Sequence, residues 1–356
     1  MTKKSDGQAR PIRVLQLLAD PQRHGDRPID NPYSSLLVLS LPHDRVRTSY
    51  FRWARIFTER FDVLHVHWPE NSLRHARVFE RIVKNALFAL FLVRIRLQRK
   101  PVVRTVHNVQ PHEDGSWVER LLLERLERLT TLWIILNEKT PTPDPSRTVL
   151  VPHGHYRDWY TPVASAVPVA GRLLNFGRIR GYKGTPELLH AFIEADDAEL
   201  SLHILGRPDD DATGARVGEL AAFDSRIHVD LRFVSDQELA DAIASAEVVV
   251  LPYLAMHNSG AALLALSLGR PVVVPSSPTT ELLVDEFGPG WVHTYAGPLD
   301  APTLLELVRL SRSADRDPDG PDLSRREWTA IGDLLVDAYE RAVSQPRRVR
   351  REPAGR

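Results

Sequence analysis

Cysteine is absent from all 356 residues, which excludes disulfides and thiolate metal sites and is what a reducing cytoplasmic setting predicts. Net charge is absent too. The chain has 46 basic and 46 acidic residues, so no global field draws it to nucleic acid, and none is expected as a partner. No apolar run is long enough to span a bilayer. Nor is a secretory signal visible, because Met1 to Arg10 is polar and the apolar run from Ile12 is short and strand-like. Internal repeats and low-complexity tracts are also missing. What is present suffices for two cores: the hydrophobic fraction is 43%, and the length exceeds what one core usually organises.

The first half alternates between strand and helix patterns. Ile12–Leu18, Val63–His67, Pro101–His107, Leu132–Leu136 and Val149–Pro152 read as strands. Pro32–Leu41, Leu73–Gln98 and Trp117–Leu129 read as helices. This alternation predicts a doubly wound parallel sheet. Thr161–Ala170, rich in Pro and Ala, breaks the period on both sides and reads as a linker, after which a second alternating series fills Leu173–Val292. The charged Ser311–Ser324 segment reads as a loop. It leads to an amphipathic helix, Arg326–Val343, with Trp328, Ile331, Leu334, Leu335 and Tyr339 on one face. The expected domains are therefore 1–165 and 166–325, then a helix over 326–344 and a disordered basic tail over 345–356.

Between the apolar run Arg172–Phe176 and a helix opened by Thr185-Pro186-Glu187 lies Gly177-Arg178-Ile179-Arg180-Gly181-Tyr182-Lys183-Gly184. Its glycines allow close backbone approach, and Arg178 and Lys183 are suited to gripping a diphosphate. Further on, Glu247–Tyr253 reads as a buried strand, and His257-Asn258-Ser259-Gly260 opens the helix Ala261–Leu268. A strand, a small-residue turn and a helix N-terminus together make an anion site. In register, order and spacing, residues 170–296 resemble the nucleotide-binding half of GT-B-fold glycosyltransferases, the group with a G-R-x(4)-K-G loop and an S/N-x-G helix followed by x-G-x-P-V-V. The resemblance implies two Rossmann-like α/β domains facing a cleft, with the last helix crossing back to the first. It also places Gly206, after Leu202–Leu205, and Phe233, after Ile227–Arg232, beside the nucleotide base. Arg178 and Lys183 then hold the diphosphate, with Asn258, Ser259 and Gly260 adding backbone donors.

In open parallel sheets, ligands sit beyond the carboxyl ends of the strands. In the first half that points to His65-Val66-His67-Trp68-Pro69-Glu70 and to Val106-His107-Asn108-Val109-Gln110-Pro111-His112-Glu113. Similar H-x-H-W-P-E and H-N-x-x-P-H-E sequences occur among bacterial exopolysaccharide glycosyltransferases, where such loops line the acceptor side. His65 reads as a satisfied strand-edge residue. Glu113, Glu70 and His107 are the expected catalytic residues, with His112 a further candidate base, and His107 aligns with a family histidine that touches donor sugar or phosphate. The Asn31-Pro32-Tyr33 turn is either part of an acceptor pocket or a plain helix start. The family's commonest members carry two glutamates at the positions of Met256 and Leu264 here. Their loss argues against the retaining mechanism associated with that pair and toward inversion, with a base in the first domain. The His65/His67 and His153/His155 pairs raise a metal reading, but neither a D-x-D motif nor H-E-x-x-H is counted with them, and no metal site or cofactor is expected.

The sequence thus predicts a metal-independent, cytoplasmic glycosyltransferase taking a nucleoside diphosphate sugar to a lipid-linked or oligosaccharide acceptor. Resemblance to bacterial β-mannosyltransferases makes GDP-mannose the first donor expectation. Leu73–Lys100 interleaves Arg74, Arg77, Arg81, Lys84, Arg94, Arg96 and Arg99 with apolar residues, which suits either contact with an inner-leaflet membrane surface or a core helix with a solvated basic face. The rival readings are a sugar-nucleotide epimerase or phosphorylase on the same scaffold, a non-catalytic nucleotide-sugar-binding subunit, and a metal hydrolase.

Overall fold

The computed structural model describes residues 10–20, 32–108, 115–163, 167–254 and 256–345. The chain forms two compact units, residues 1–154 with 326–356, and residues 155–325. The division falls at Gly154, ahead of the segment where composition placed the linker. Residues just past it already belong to the second unit: the Tyr156 N–H donates to Ser267 Oγ at 3.0 Å.

The first unit opens with β1 (Ile12–Leu17), α1 (Tyr33–Leu39), β2 (Val46–Tyr50) and β3 (Val63–Val66). It continues through α2 (Glu70–Leu73), α3 (Val78–Leu97), β4 (Val102–Val106), α4 (Trp117–Leu129), β5 (Leu132–Ile135) and β6 (Thr148–Leu150). All six strands are parallel, in the order β2-β1-β3-β4-β5-β6. Strand order reverses between β1 and β3, which makes their carboxyl ends the expected ligand position. Periodicity overlooked β2, an edge strand of mostly polar residues that buries only Val46. The expected helix over 73–98 is broken. Arg74 and Arg77 are extended, and the Arg74 guanidinium leaves the helical path to meet the buried Glu119 carboxylate at 2.9 Å. Ser116 caps α4 by accepting from the Glu119 N–H.

The second unit runs β7 (Arg172–Phe176), α5 (Thr185–Glu194), β8 (Ser201–Leu205), α6 (Asp211–Ala221), β9 (Ile227–Asp230) and α7 (Asp236–Ser245). Then come β10 (Val248–Val250), α8 (Gly260–Ser267), β11 (Val272–Pro275), α9 (Pro278–Phe287), β12 (Val292–Tyr295) and α10 (Ala301–Ser313). Its parallel order, β12-β11-β10-β7-β8-β9, reverses between β7 and β10. The apolar strands read from the sequence are fully buried here, Val248, Val249 and Val250 among them. β9 stops at Asp230, shorter than expected, because Arg232 turns to pair with Asp230 and Glu238 while Ser235 and Glu238 form a capping box for α7. Helix α10 reaches Ser313, into the segment read as loop.

The last helix, α11 (Trp328–Ser344), packs in the first unit against α1, β3, β4 and β5. Trp328, Ile331, Leu335 and Tyr339 are buried, but Leu334 is 41% exposed, and Gly332, Val336, Ala338 and Ala342 complete the buried face instead. Gly332 lets the helix approach closely, since a methyl group there would stand 2.1 Å from the Ser40 carbonyl oxygen.

Two glycines shape the carboxyl ends of the second sheet. Gly184 (φ +66°) would place a methyl 2.0 Å from Pro252 O, and Gly206 (φ +145°) would place one 2.0 Å from Gly177 O. Gly206→Ala is expected to destabilise the second unit by about 3 kcal/mol, or roughly 6–12 °C in its thermal transition, through strain and overpacking. Gly218→Ala, where nothing lies within 4 Å, is the control expected to leave the transition unchanged or slightly raised. Equal transitions in both variants would show that the close approach is not a constraint.

Candidate active site

In the second unit the loop after β7 is held to the loop after β8 by backbone bonds. Gly177 N donates to Leu205 O at 2.9 Å, Ile179 N to Arg207 O at 3.0 Å, and Gly206 N to Asp230 O at 3.0 Å. Residues 181–183 make a single 3-10 turn, and Gly184 then feeds α5. Lys183 folds back beneath this loop, its Nζ 5.1 Å from the Tyr253 ring centroid. Burial pulls the Lys183 ammonium below its ordinary range, partly offset by Tyr182. A desolvated ammonium over an aromatic face gains most from an arriving anion.

Arg178 already has an acidic partner. Its guanidinium is half exposed and pairs with Asp209, which also holds Arg180 at 2.8 Å. Sequence reading missed both partners. Contrary to the sequence reading, an acid-x-acid run is present at Asp209-Asp210-Asp211, yet Asp209 is committed to the two arginines and Asp210 caps α6 by accepting from Thr213 N. Ser259 caps α8 by accepting from Ala262 N at 3.1 Å, so its hydroxyl serves the helix, and the first-turn N–H groups around Gly260 are the ones suited to an anion. Asn258 immediately precedes this cap. Phe233 is 39% exposed on the loop after β9. Leu264 is buried, and Met256 accepts through its carbonyl from Thr279 Oγ1 at 3.1 Å, so neither position supplies a carboxylate.

In the first unit a buried polar chain links β1, β3, β4 and α11. Thr105 Oγ1 lies 2.8 Å from His65 Nε2, and His65 Nδ1 lies 2.8 Å from the Tyr339 hydroxyl. Gln16 Nε2 donates to that hydroxyl at 3.3 Å. Gln16 Oε1 lies 3.3 Å from His67 Nε2, and His67 Nδ1 lies 3.2 Å from His107 Nε2. His65 is thus a central-strand residue with both ring nitrogens engaged, rather than an edge residue. Aromatic rings enclose the open end. Trp68 stacks on His107 at 4.0 Å and 21°, and Tyr33 meets His107 edge-on at 5.2 Å and His153 at 4.5 Å. Tyr33, the first residue of α1, therefore lies within this cluster, while Asn31 lies outside the described residues. Burial holds every imidazole of the cluster neutral: His67 is lowered to about 3, His153 to about 4, and His65 and His107 well below the usual range.

Among the expected bases, Glu70 opens α2 with its carboxyl pushed up by burial, against the opposing charges of Arg104 and Arg74. A raised carboxyl is better matched to proton acceptance near neutrality than an imidazole driven well below its usual range. Glu113 and His112 lie outside the described residues. Among the described residues, no three His, Asp or Glu side chains gather as a metal site.

A group 1 glycosyl transferase family profile matches residues 170–298. The GDP-mannose:glycolipid 4-beta-D-mannosyltransferase of Xanthomonas campestris pv. campestris is 43% identical over 315 residues, covering 88% of this chain and 89% of the relative. Of solved structures, Anabaena HepE with UDP-glucose superposes at a TM-score of 0.61 and 14% identity, over 93% of this chain and 95% of the other. AviGT4, a glycosyltransferase involved in avilamycin A biosynthesis, superposes at 0.57 and 17% identity, over 94% and 98%. These structures share the fold.

The neutral histidines set a pH dependence. Their folded pKa values lie below the unfolded value near 6.5, so the unfolded chain binds more protons below that pH and stability falls as pH drops. Each histidine adds a slope of up to about 1.4 kcal/mol per pH unit once the unfolded chain is protonated. Denaturant unfolding of the full chain should be nearly flat from pH 8 to 7 and weaken from pH 6.5 to 5, above the range where carboxylates titrate. Unchanged stability down to pH 5 would contradict the neutral cluster.

Proposed function

As the chain belongs to the glycosyltransferases of the GT-B fold, in the family of the Xanthomonas mannosyltransferase, we propose that it transfers mannose from GDP-mannose to a glycolipid hydroxyl, with inversion and without a metal. The observation that carries this reading is the 43% identity, which runs through both units over 88% of the chain. The rival epimerase, phosphorylase and binding-subunit readings share only the scaffold and find no support in that relative.

The chemistry follows from the two half-sites. On the donor side, Lys183 and the first-turn N–H groups of α8 neutralise the charge that grows on the diphosphate as the anomeric C–O bond breaks. Arg178 joins them by exchanging Asp209 for phosphate. On the acceptor side, a carboxylate takes the proton of the attacking hydroxyl, and Glu70 is the described group best suited to it, with Glu113 its rival. With Met256 and Leu264 where retaining relatives carry glutamates, the hydroxyl attacks the face opposite the diphosphate. An α-linked donor therefore gives a β-linked product, the linkage in the Xanthomonas enzyme's name.

The glycolipid end of the reading is supported by α3. Asn85, Phe88, Phe91, Leu92 and Ile95 face the core, while Phe79, Ile82, Val83, Leu90, Val93 and Leu97 are exposed. The exposed residues recur every three or four positions, so they form one stripe along the helix. Of the basic residues Arg96 borders it and Arg77 and Arg99 lie just beyond the two helix ends, while Arg81 and Lys84 fall on the opposite side, and Glu80 is the only acid of the helix. An apolar stripe edged by arginines suits the interface of an anionic bilayer, where each basic residue near the surface contributes about 1 kcal/mol. Among the described residues no helix is long and apolar enough to cross a membrane.

Product release of GDP from GDP-mannose, dependent on a glycolipid acceptor, is the first test, with the product's anomeric configuration read by NMR. Lys183→Ala and Arg178→Ala should each cost about one to two decades in turnover at unchanged stability, the worth of a charge-assisted contact of roughly 1.5–3 kcal/mol. Glu70→Gln should lose turnover while donor binding is kept. An α-linked product would refute inversion, and full dependence on a divalent ion would refute the metal-free route.

Vesicle flotation tests the surface. The chain should float with vesicles containing anionic phosphatidylglycerol, less so at high salt, and Phe79→Glu with Leu90→Glu should release it. Equal binding to zwitterionic vesicles, or none to either, would remove α3 as the docking face.

A further inference from the structure

A cavity of about 410 Å³ opens within the second unit, walled in part by Arg157, Tyr160, Ser267, Gly269, Arg270 and Trp291. Chain direction places it. Arg270 and Pro271 lead into β11 and Trp291 leads into β12, so the cavity lies at the amino ends of those parallel strands. The glycine loop and the turn before α8 follow the carboxyl ends of β7 and β10 in the same sheet. The cavity is therefore separate from the donor half-site.

Its two arginines are not held by acids. Arg270 is half-buried, with Nη1 donating to the Gly269 carbonyl oxygen at 3.2 Å and Nε buried without an acceptor. Among the described residues, neither Arg270 nor Arg157 forms an ion pair. Burial disfavours the charged form of Arg270, and the charge of Arg316 disfavours it further, so this is a cation that an added negative charge would relieve. Asp319, the one acid of the lining, is exposed and pairs with neither arginine. Arg178 must leave Asp209 to meet a phosphate; these two have no such partner to leave.

Gly320 brings the arginines to one place. A Cβ there would stand 3.7 Å from Arg157 Nη2 and 3.9 Å from Gly269 Cα, and the residue's φ of +96° disfavours any side chain. The Arg157 guanidinium thus lies beside the residue that precedes Arg270, and the space a side chain would take is left free. Guanidinium forks match the oxygens of a phosphate, and two of them with no acid between them favour a dianion. The volume falls in the range of small-molecule sites, about 300–1,000 Å³, which admits a phosphorylated sugar whole.

We propose that this cavity is a second anion site of the chain, taking a small soluble phosphate monoester whose phosphate is held by Arg157 and Arg270 while Tyr160 and Trp291 wall the organic part. It rests on nothing in the glycosyl-transfer reading, and it lies at the end of the sheet where the reaction does not occur.

Calorimetric titration of the full chain tests it, with glucose 6-phosphate, inorganic phosphate and glucose as probes. The chain carries Lys183→Ala and Arg178→Ala, so that the donor loop contributes little. One equivalent of glucose 6-phosphate should bind, inorganic phosphate should compete with it, and glucose should not bind. Arg157→Gln and Arg270→Gln should each raise the Kd roughly ten- to hundredfold, the worth of a charge-assisted contact, with thermal unfolding checked in parallel. Should Arg270→Gln fail to fold, the exposed Arg157 carries the test alone. Absence of binding by both phosphate probes would overturn the proposal, as would binding that ignores the substitutions or is matched by glucose. Capture by phosphatidic acid vesicles that Arg157→Gln abolishes, without binding of glucose 6-phosphate, would assign the site to a lipid and overturn the soluble ligand.

Discussion

The first unit depends on complete partnering of the polar side chains buried at the carboxyl ends of β1, β3 and β4. Gln16, His65, His67 and Thr105 are buried in or just beyond central strands whose neighbours are Val, Leu and Ile. Left unpartnered, each would cost about 1–3 kcal/mol. Here they bond to one another, and the arrangement closes only because α11 brings the Tyr339 hydroxyl to two of them. That requirement explains why the C-terminal helix returns to the first unit's sheet, and why Gly332 sits where the helix passes the Ser40 carbonyl. Burial of the same rings is what keeps the cluster neutral.

The second unit solves the opposite problem. On the proposed reading it holds positive charge for a diphosphate. Lys183 is parked over the Tyr253 ring, and Arg178 and Arg180 share Asp209. A guanidinium that is more than half exposed gains little from such a pair, so releasing Arg178 to phosphate costs little. The backbone is the rigid part. Gly184 and Gly206, in conformations other residues rarely adopt, set the loop ends against Pro252 and Gly177 beneath those charges. Preorganised backbone and mobile side chains suit a site that binds, turns over and releases.

Much of this was legible in the sequence, for a physical reason. Parallel strands buried on both faces need long apolar runs, and helices crossing them need a 3.6-residue period, so β7, β8 and α4 stood out within a residue or two of their observed bounds. The edge strand β2 escaped because one buried residue makes no pattern. The break between α2 and α3 escaped because it depends on Arg74 finding Glu119, forty-five residues on. At the site, Arg178 and Lys183 were visible as charges on a glycine loop, while Asp209 and Arg180 were not, since their role is set by where two loops meet. Gln16 carried a signal that could have been used, as a lone amide in the apolar strand Ile12–Leu17. Tyr339 carried none, because its partners lie 274 and 323 residues away.

Fold and reaction rest on different evidence, and the distinction bears on which residues matter. Solved structures at 11% to 17% identity superpose on this chain, and they include both sugar transferases and a putative UDP-N-acetylglucosamine 2-epimerase. A scaffold shared so widely says where a ligand sits but not what happens to it. What narrows the reaction is the 43% identity, read together with the groups at the strand ends. A glycine loop with a buried ammonium suits any diphosphate, so Lys183 by itself does not separate one reaction from another. On the proposed reading the discriminating features are a carboxyl raised by burial at Glu70, an imidazole held neutral at His107, and apolar residues at positions 256 and 264. A retaining transferase would need a carboxylate or its equivalent on the donor side. On the proposed reading, a chain with none there and with a carboxyl raised by burial at Glu70 carries its proton chemistry on the acceptor side.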